Sequence, residues 1–416
     1  LANSRYYFLT PQCIANDVEN NLYDLKETSL LIEDEAHRCV KNYSYNYVAK
    51  KYKEQAIHQR IIGLTASPGS EISKIKDICK NLSIEEVELR TRESKDVNQY
   101  LQELKFEKIL LEFPPKFEEI RQVLIKLLNQ YIEELRYRKV LFGPSTKTGL
   151  INLQKKISAT LQRGNRNFNY MLGASACAQA IKIQHALELL ETQTLSSFNK
   201  YLKNLFEQAS KKQSKGVIKL VAKKEFNYIF MASNELLIKN QEHPKLQKLI
   251  EIINQEKIEN KKAKIIIFTQ FRETAKIVSA KISKLKNVNT GIFVGQTKKQ
   301  GMGLNQKEQK NMLEEFASGK INVLCATCIA EEGLDIPEVS TVIFYEPIPS
   351  AIRAIQRAGR TARLEKGKLI ILITKKTRDE SSYYISRIRE KKMHTAIDSI
   401  KNTLKNTKKL ETQKKL

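Results

Sequence analysis

The stretch Leu30-Leu31-Ile32-Glu33-Asp34-Glu35-Ala36-His37-Arg38 decides how the chain is read. Apolar residues that run into a cluster of carboxylates describe a buried parallel strand whose carboxyl end opens into a site, the place where open α/β sheets bind ligands. Adjacent acids at a strand end can divide a task. Asp34 suits the water shell of a Mg2+ ion on a nucleotide, and Glu35 suits orienting or deprotonating an attacking water. His37, two residues on, is placed to report the state of that site elsewhere. Taken alone, Asp-Glu-Ala-His also describes a polar strand-to-helix turn with a solvated acid pair, and both readings stand at this point.

A second apolar strand follows, Arg60-Ile61-Ile62-Gly63-Leu64-Thr65-Ala66-Ser67, which puts Thr65 and Ser67 at a strand end on a loop stopped by Pro68 and Gly69. Far along the chain come Ala326-Thr327, then Glu331-Glu332-Gly333-Leu334-Asp335-Ile336-Pro337, then Gln356-Arg357-Ala358-Gly359-Arg360-Thr361-Ala362-Arg363. In this order the blocks resemble the motor core of superfamily 2 helicases of the DEAH type, and within it the archaeal fork helicase Hef and the Fanconi anaemia M-type translocases. The resemblance extends over Thr10-Pro11-Gln12, Phe293 to Gln296, Ser350 to Arg353 and Thr377 to Glu380.

Length 416 with 41% hydrophobic residues suggests two or three domains with real cores. A formal charge of +26, from 72 basic and 46 acidic residues, makes a polyanion the expected partner, and nucleic acid is a better candidate than a membrane. No apolar run is long enough to span a bilayer and no signal peptide opens the chain, so no membrane partner is expected and the expected location is the cytoplasm, at the nucleoid. Cys325 and Cys328 form the only Cys-x-x-Cys and read as reduced packing residues rather than half of a zinc site. Tyr43, Tyr45, Tyr47 and Tyr52 read as helix packing more readily than as base-stacking groups.

The expected fold is α/β: two RecA-like parallel-sheet motor domains, the first incomplete, with an all-α insert between them. The boundaries drawn on the sequence are 1–110 for the rear of the first domain, 111–241 for a basic, DNA-binding helical insert, 242–395 for the second domain, and 396–416 for a Lys-rich, fraying tail. Tyr6 to Leu9 reads as a strand and Asn16 to Tyr23 as helical. Lys264 to Thr269, Thr290 to Val294, Ile321 to Ala326, Thr341 to Tyr345 and Leu369 to Thr374 alternate with helical segments, and Asn305 with Glu308 forms a capping box. Between Arg136 and Lys224 lie 17 basic residues against 3 acidic, a net +14, on segments with helical spacing.

A motor of this family needs a Gly-rich loop ending in Gly-Lys-Ser/Thr to cradle the β- and γ-phosphates. Gly143 to Gly149 lacks that ending. The expectation is that the N-terminal half is either a partner polypeptide that docks here or lost from a truncated gene, with this chain alone inactive; a separate nuclease subunit is a further expected partner, since Hef carries a nuclease after its motor. The resemblance implies ATP and Mg2+ as cofactors, with Asp34 holding the metal through water, Glu35 the hydrolytic water, and His37 and Gln356 assisting. It places Arg360 and Arg363 on the γ-phosphate and Gly333 with Asp335 on the ribose side. Thr10, Gln12, Thr65, Ser67, Thr269 and Thr327 would meet the phosphates of a bound strand, and forked or branched DNA is the implied substrate, in repair or replication restart.

Several positions depart from the pattern. Glu33 replaces an apolar residue, although strand alternation points it away from Asp34. Ala358 stands for a usual Arg, and Ala330 and Ala362 for usual glycines, the last placing a methyl where the backbone needs freedom. Two other classes of function remain beside the DNA motor: a non-catalytic DNA-binding remnant of one, and an ATPase driven by duplex RNA.

Overall fold

The computed structural model describes residues 5–163, 168–296, 303–331, 334–362 and 365–413. It divides into two compact units, one formed by 1–101, 348–359 and 383–416, the other by 102–347 and 360–382.

In the first unit, α1 (Pro11–Glu19) leads to β1 (Leu31–Asp34), α2 (Ser44–Gln55), β2 (Ile61–Leu64), α3 (Ile72–Leu82) and the single turn α4 (Lys95–Asn98). β1 and β2 pair in parallel with Asp34 opposite Leu64, so the acids and the Thr65 loop leave the sheet at the same end. One face of this pair packs on Ala36, Cys39, Ala49, Ile78 and Leu82. The other bears Ile32, Ile62 and Leu64, which are 53%, 40% and 49% exposed. Tyr6 to Leu9 is not a strand, because among the described residues no neighbour offers it a ladder. Helix α1 stops at Glu19 rather than running to Tyr23, because Asn21 turns into the left-handed region at φ 56°. Tyr52 is buried and donates its hydroxyl to the His58 carbonyl at 3.0 Å, a packing role.

The second unit opens with β3 (Leu104–Leu111), which the sequence boundary at 110 assigns to the first domain. It instead pairs in parallel with β8 at the edge of a larger sheet. Six helices follow: α5 (Pro115–Tyr137), α6 (Lys147–Gln162), α7 (Phe168–Thr192), α8 (Leu195–Ser210), α9 (Lys215–Val221) and α10 (Lys224–Ile238). They enclose a core of their own that includes Leu124, Leu127, Cys177, Ile183, Phe198 and Phe226. Then come α11 (Pro244–Glu259), β4 (Ile265–Phe268), α12 (Arg272–Ile282), β5 (Thr290–Phe293), α13 (Gln306–Ala317), β6 (Val323–Ala326), β7 (Thr341–Phe344) and β8 (Gly367–Thr374). The sheet order is β3-β8-β7-β4-β6-β5, all parallel. Strands β4, β6 and β7 are buried on both faces, as their unbroken apolar runs require. The Asn305–Glu308 capping box opens α13.

The helices are tied to this sheet by a buried polar hub. Lys245 pairs with Asp379 at 2.6 Å, neither more than 1% exposed, and its Nζ also donates to the Thr192 carbonyl at 2.7 Å. His243 donates from Nε2 to the Glu191 carbonyl at 3.3 Å and accepts from the Lys245 N–H, so the ring is neutral; burial pushes its pKa well below the ordinary histidine value, aided by Lys245.

Two further helices close the chain, α14 (Ala351–Ala358) and α15 (Arg378–Gln413). The expected fraying tail is a helix: Met393, Ala396, Ile397 and Ile400 form a buried stripe against Ile75 of α3. Their spacing is helical, and the lysines around them mask it. Among the described residues no helix is long and apolar enough to cross a membrane.

Candidate nucleotide and nucleic-acid site

Strand β1 delivers its acids with alternating direction. Glu33 is 1% exposed and faces the helices, whereas Asp34 is exposed. Glu33 accepts from the Cys39 thiol at 2.9 Å, and burial pushes its carboxyl up to about 7 despite that bond and the charge of Lys53. Burial, with Glu33 nearby, also raises the Cys39 thiol, which therefore stays protonated and is not a reactive nucleophile. The expectation that Glu33 points away from the site is met.

Beyond Asp34 the backbone turns sharply. Glu35 adopts φ 53° and ψ 44°, the left-handed region, and starts a 3-10 turn over Ala36–Arg38. Asp34 Oδ1 accepts from the Glu35 N–H at 2.9 Å, which fixes that carboxylate at the strand end. A left-handed residue other than glycine costs roughly 1–2 kcal/mol, and such strain is concentrated at functional sites. The turn brings His37 back across the sheet. Its Nδ1 lies 3.2 Å from Glu35 Oε2 and 3.1 Å from Thr65 Oγ1. The Ser67 N–H donates to that same Thr65 hydroxyl at 3.2 Å, and Ser67 Oγ donates to Met393 Sδ at 2.8 Å. His37 therefore stands between the acid end of β1 and the loop after β2, hydrogen-bonded to Thr65 and in charge contact with Glu35 when its ring is protonated. Met393 was not singled out in the sequence; its place in the helical stripe is the signal that finds it.

In the same unit Thr10 caps α1, accepting from the Cys13 N–H at 3.4 Å, and Gln12 lies exposed in the first turn. Gln356 sits on α14, half-buried. Among the described residues its buried Nε2 has no hydrogen-bond partner.

In the second unit Thr269 and Thr327 follow neighbouring strands, with the Thr269 N–H donating to the Ala326 carbonyl at 2.9 Å. Both are buried, and Thr269 Oγ1 already donates to the Phe271 carbonyl at 3.2 Å, so a phosphate contact from its hydroxyl requires a change of partner. Arg360 is 8% exposed and donates to the carbonyls of Leu334 at 3.0 Å and Glu331 at 2.7 Å. It thus ties Glu331 and Leu334 to one guanidinium. Asp335, next after Leu334, is exposed. Gly333 and Arg363 lie outside the described residues. Ala362 has φ 57°, so a non-glycine residue does occupy a left-handed position there. Among the described residues no group of three His, Cys, Asp or Glu side chains is arranged to hold a metal by itself; Cys325 is buried and Cys328 exposed.

Asp34 and Glu35 on a strand end, bridged by His37 to a Thr-Ala-Ser loop, together with a second parallel sheet and a helical insert, are the arrangement of a superfamily 2 helicase motor. Comparison with known proteins names the branch. Residues 1–70 match the family model described as type III restriction enzyme, res subunit; 116–242 match the helical bundle of putative ATP-dependent RNA helicases; 244–365 match the helicase conserved C-terminal domain. The crystal structure of the Pyrococcus furiosus Hef helicase domain is 39% identical, with a TM-score of 0.67, and the match covers 91% of this chain and 77% of that one. The chain belongs to the family of Hef-type helicases.

A putative ATP-dependent RNA helicase of Methanocaldococcus jannaschii is 37% identical over 397 residues, covering 94% of this chain and 48% of that protein. A putative ATP-dependent DNA helicase of Schizosaccharomyces pombe is 29% identical, covering 95% of this chain and 52% of its own length. The mouse Fanconi anemia group M protein homolog is 28% identical, with 97% of this chain and 22% of its own length covered. The chain spans about half the length of the first and second of these relatives and less of the third.

Proposed function

We propose that this chain is part of an ATP-driven DNA helicase or translocase that works on forked or branched DNA at the nucleoid, in repair or replication restart. The observation that carries the reading is the place of His37, whose Nδ1 lies within 3.2 Å of Glu35 and is hydrogen-bonded to Thr65. It links the acids to a loop proposed to touch the nucleic acid, which is the coupling a motor needs and a mere binding module does not.

A bound magnesium nucleoside triphosphate supplies the phosphoryl group and the cation that neutralises it. The residues present suit that ligand: Asp34 is exposed at the strand end for the metal's water shell, and among the described residues Gln356 Nε2 is buried without a hydrogen-bond partner. Glu35 orients the attacking water and receives its proton, and Gln356 aligns that water. Asp335, with Gly333, contacts the ribose side. Arg360 releases its carbonyls to face phosphoryl oxygens, a role this reading also gives to Arg363, and known arginine fingers contribute roughly 10³ to 10⁵ in rate. Thr10, Gln12, Thr65 and Ser67 in one unit, and Thr269 and Thr327 in the other, grip strand phosphates. The net +14 segment from Arg136 to Lys224 follows the duplex backbone.

The phosphate loop is not among these 416 residues. Half-exposed Ile32, Ile62 and Leu64 on what is, among the described residues, a two-stranded sheet support completion by further α/β structure bearing that loop. The test is DNA-stimulated ATP hydrolysis by the chain alone and by the chain mixed with the phosphate-loop polypeptide, with Glu35→Gln as control. Activity in the mixture that Glu35→Gln abolishes is expected. No activity in either sample, with fork DNA still bound, leaves a DNA-binding module instead. Stronger stimulation by duplex RNA than by fork DNA at matched salt would favour the RNA-driven ATPase, the activity named for the Methanocaldococcus relative.

A further inference from the structure

The loop after β2 is held from behind by a residue that the motor reading leaves unused. Its side chains alternate in direction. Thr65 is half-buried and lies at His37, Ala66 is exposed, and Ser67 turns inward with 1% of its surface exposed. There the Ser67 hydroxyl meets helix α15 and donates to Met393 Sδ at 2.8 Å, a contact made within the first compact unit. A serine hydroxyl has one proton to give. While Met393 holds it, Ser67 cannot donate to the strand phosphate that the motor reading assigns to it.

The two sides of this bond are fixed to different degrees. Met393 is 3% exposed and stands in the stripe with Ala396, Ile397 and Ile400 that packs on Ile75 of α3, so moving its sulfur means opening a core. The loop is the side that can move. Thr65, Pro68, Gly69 and Ser70 are half-buried, and Gly69 stands at φ 98°, a conformation open to glycine and costly for other residues. The acceptors differ too. A thioether is a weak acceptor, whereas a phosphate oxygen is charged and makes hydrogen bonds about twice as strong, so exchanging one for the other is favourable.

We propose that Met393 is a positioning residue for strand binding. Its sulfur keeps the Ser67 hydroxyl turned away in the free chain, and a strand phosphate takes that hydroxyl over as the loop swings out about Gly69. Helix α15 therefore sets how tightly the loop grips: the competent position is populated only once Ser67 has left Met393, and the apparent affinity is reduced by that population. The same step reaches the acids. The Ser67 N–H donates to Thr65 Oγ1 at 3.2 Å, and Thr65 Oγ1 lies 3.1 Å from His37, so release of Ser67 is felt at the residue beside Glu35. This inference rests on the nucleic-acid motor reading and adds a two-position element to it, with a role for a helix that the reading leaves idle.

The test measures binding of the full chain to a fluorescein-labelled single-stranded oligothymidylate by anisotropy at fixed salt, with amide hydrogen exchange of the free chain beside it. Met393→Leu keeps the volume and removes the acceptor. It is expected to bind the strand about threefold more tightly than wild type and to speed exchange at the Ser67 amide. Ser67→Ala loses the phosphate contact and is expected to bind about threefold more weakly than wild type. Adding Met393→Leu to Ser67→Ala is expected to change nothing further, because the sulfur acts only through that hydroxyl. A Met393→Leu chain that binds no more tightly than wild type overturns the proposal and leaves Met393 a packing residue. A gain that persists in the Ser67→Ala background overturns it as well. A wild type that binds no strand overturns the motor reading itself. A gain in affinity cannot come from a loss of fold, so the sign of the effect is its own control.

Discussion

The sheets of the two units are built on one pattern and end differently. In the larger sheet, β4, β6 and β7 are buried on both faces and flanked by further strands. In the smaller one, β1 and β2 pair only with each other among the described residues, with Ile32, Ile62 and Leu64 half in solvent, yet this pair carries Asp34 and Glu35. Two parallel strands are marginal by themselves. The acids therefore stand on the less supported scaffold, and the reading of a motor completed by a further half is also a statement about stability.

That contrast is open to direct attack. Peptide-resolved hydrogen exchange on the full chain is expected to show β4 and β6 amides exchanging about a thousandfold more slowly than those of β1 and β2. Equal protection would erase the distinction, and slowing of β1 and β2 alone on adding the phosphate-loop polypeptide would sharpen it. Next in size, Lys245→Ala leaves Asp379 buried without its cation, and is expected to cost the larger unit about 3–5 kcal/mol in denaturant unfolding. Exchange of β1 and β2 should not change.

The two units are also expected to respond to pH in opposite senses. Glu33 has its folded pKa raised to about 7 from 4.5, so the folded smaller unit holds a proton that the unfolded chain loses, and its stability falls as pH rises from 4.5 to 7. Glu33→Gln is expected to remove that fall and to stabilise the smaller unit by about 2–3 kcal/mol at pH 8. His243 is shifted the other way: its folded pKa lies well below 6.5, so the unfolded chain takes up the proton first and the larger unit loses stability as pH drops below 6.5. A flat difference between wild type and His243→Asn from pH 7 to 5 would contradict this. The smallest effect concerns Ala362, at φ 57°: Ala362→Gly is expected to stabilise the larger unit by about 0.5–1 kcal/mol, read from the denaturation midpoint.

Much of the site was legible where its geometry is local. The direction of Glu33 follows from the period of a strand, the capping box from Asn305 and Glu308, and the strain at Ala362 from a methyl where glycine is usual. The long apolar runs of the second sheet name themselves as central strands. The bridge from His37 to Thr65 was legible only as a suggestion, because it joins residues 28 apart through a turn whose left-handed step at Glu35 no propensity announces.

Sequence alone therefore determined the fold class, the order of the elements, the acids at a strand end and the basic helical insert. These are set by local dihedral preference, by period and by charge composition. Tertiary structure alone decided that β3 belongs to the second sheet, that the lysine-rich tail is a helix packed on α3, that Arg360 ties Glu331 and Leu334 together through two carbonyls, and that Ser67 gives its hydroxyl to Met393. Each of these depends on which distant segment offers a partner. A strand, a guanidinium or an apolar stripe has the same local pattern whichever neighbour satisfies it, and the choice among neighbours is made only when the chain closes on itself.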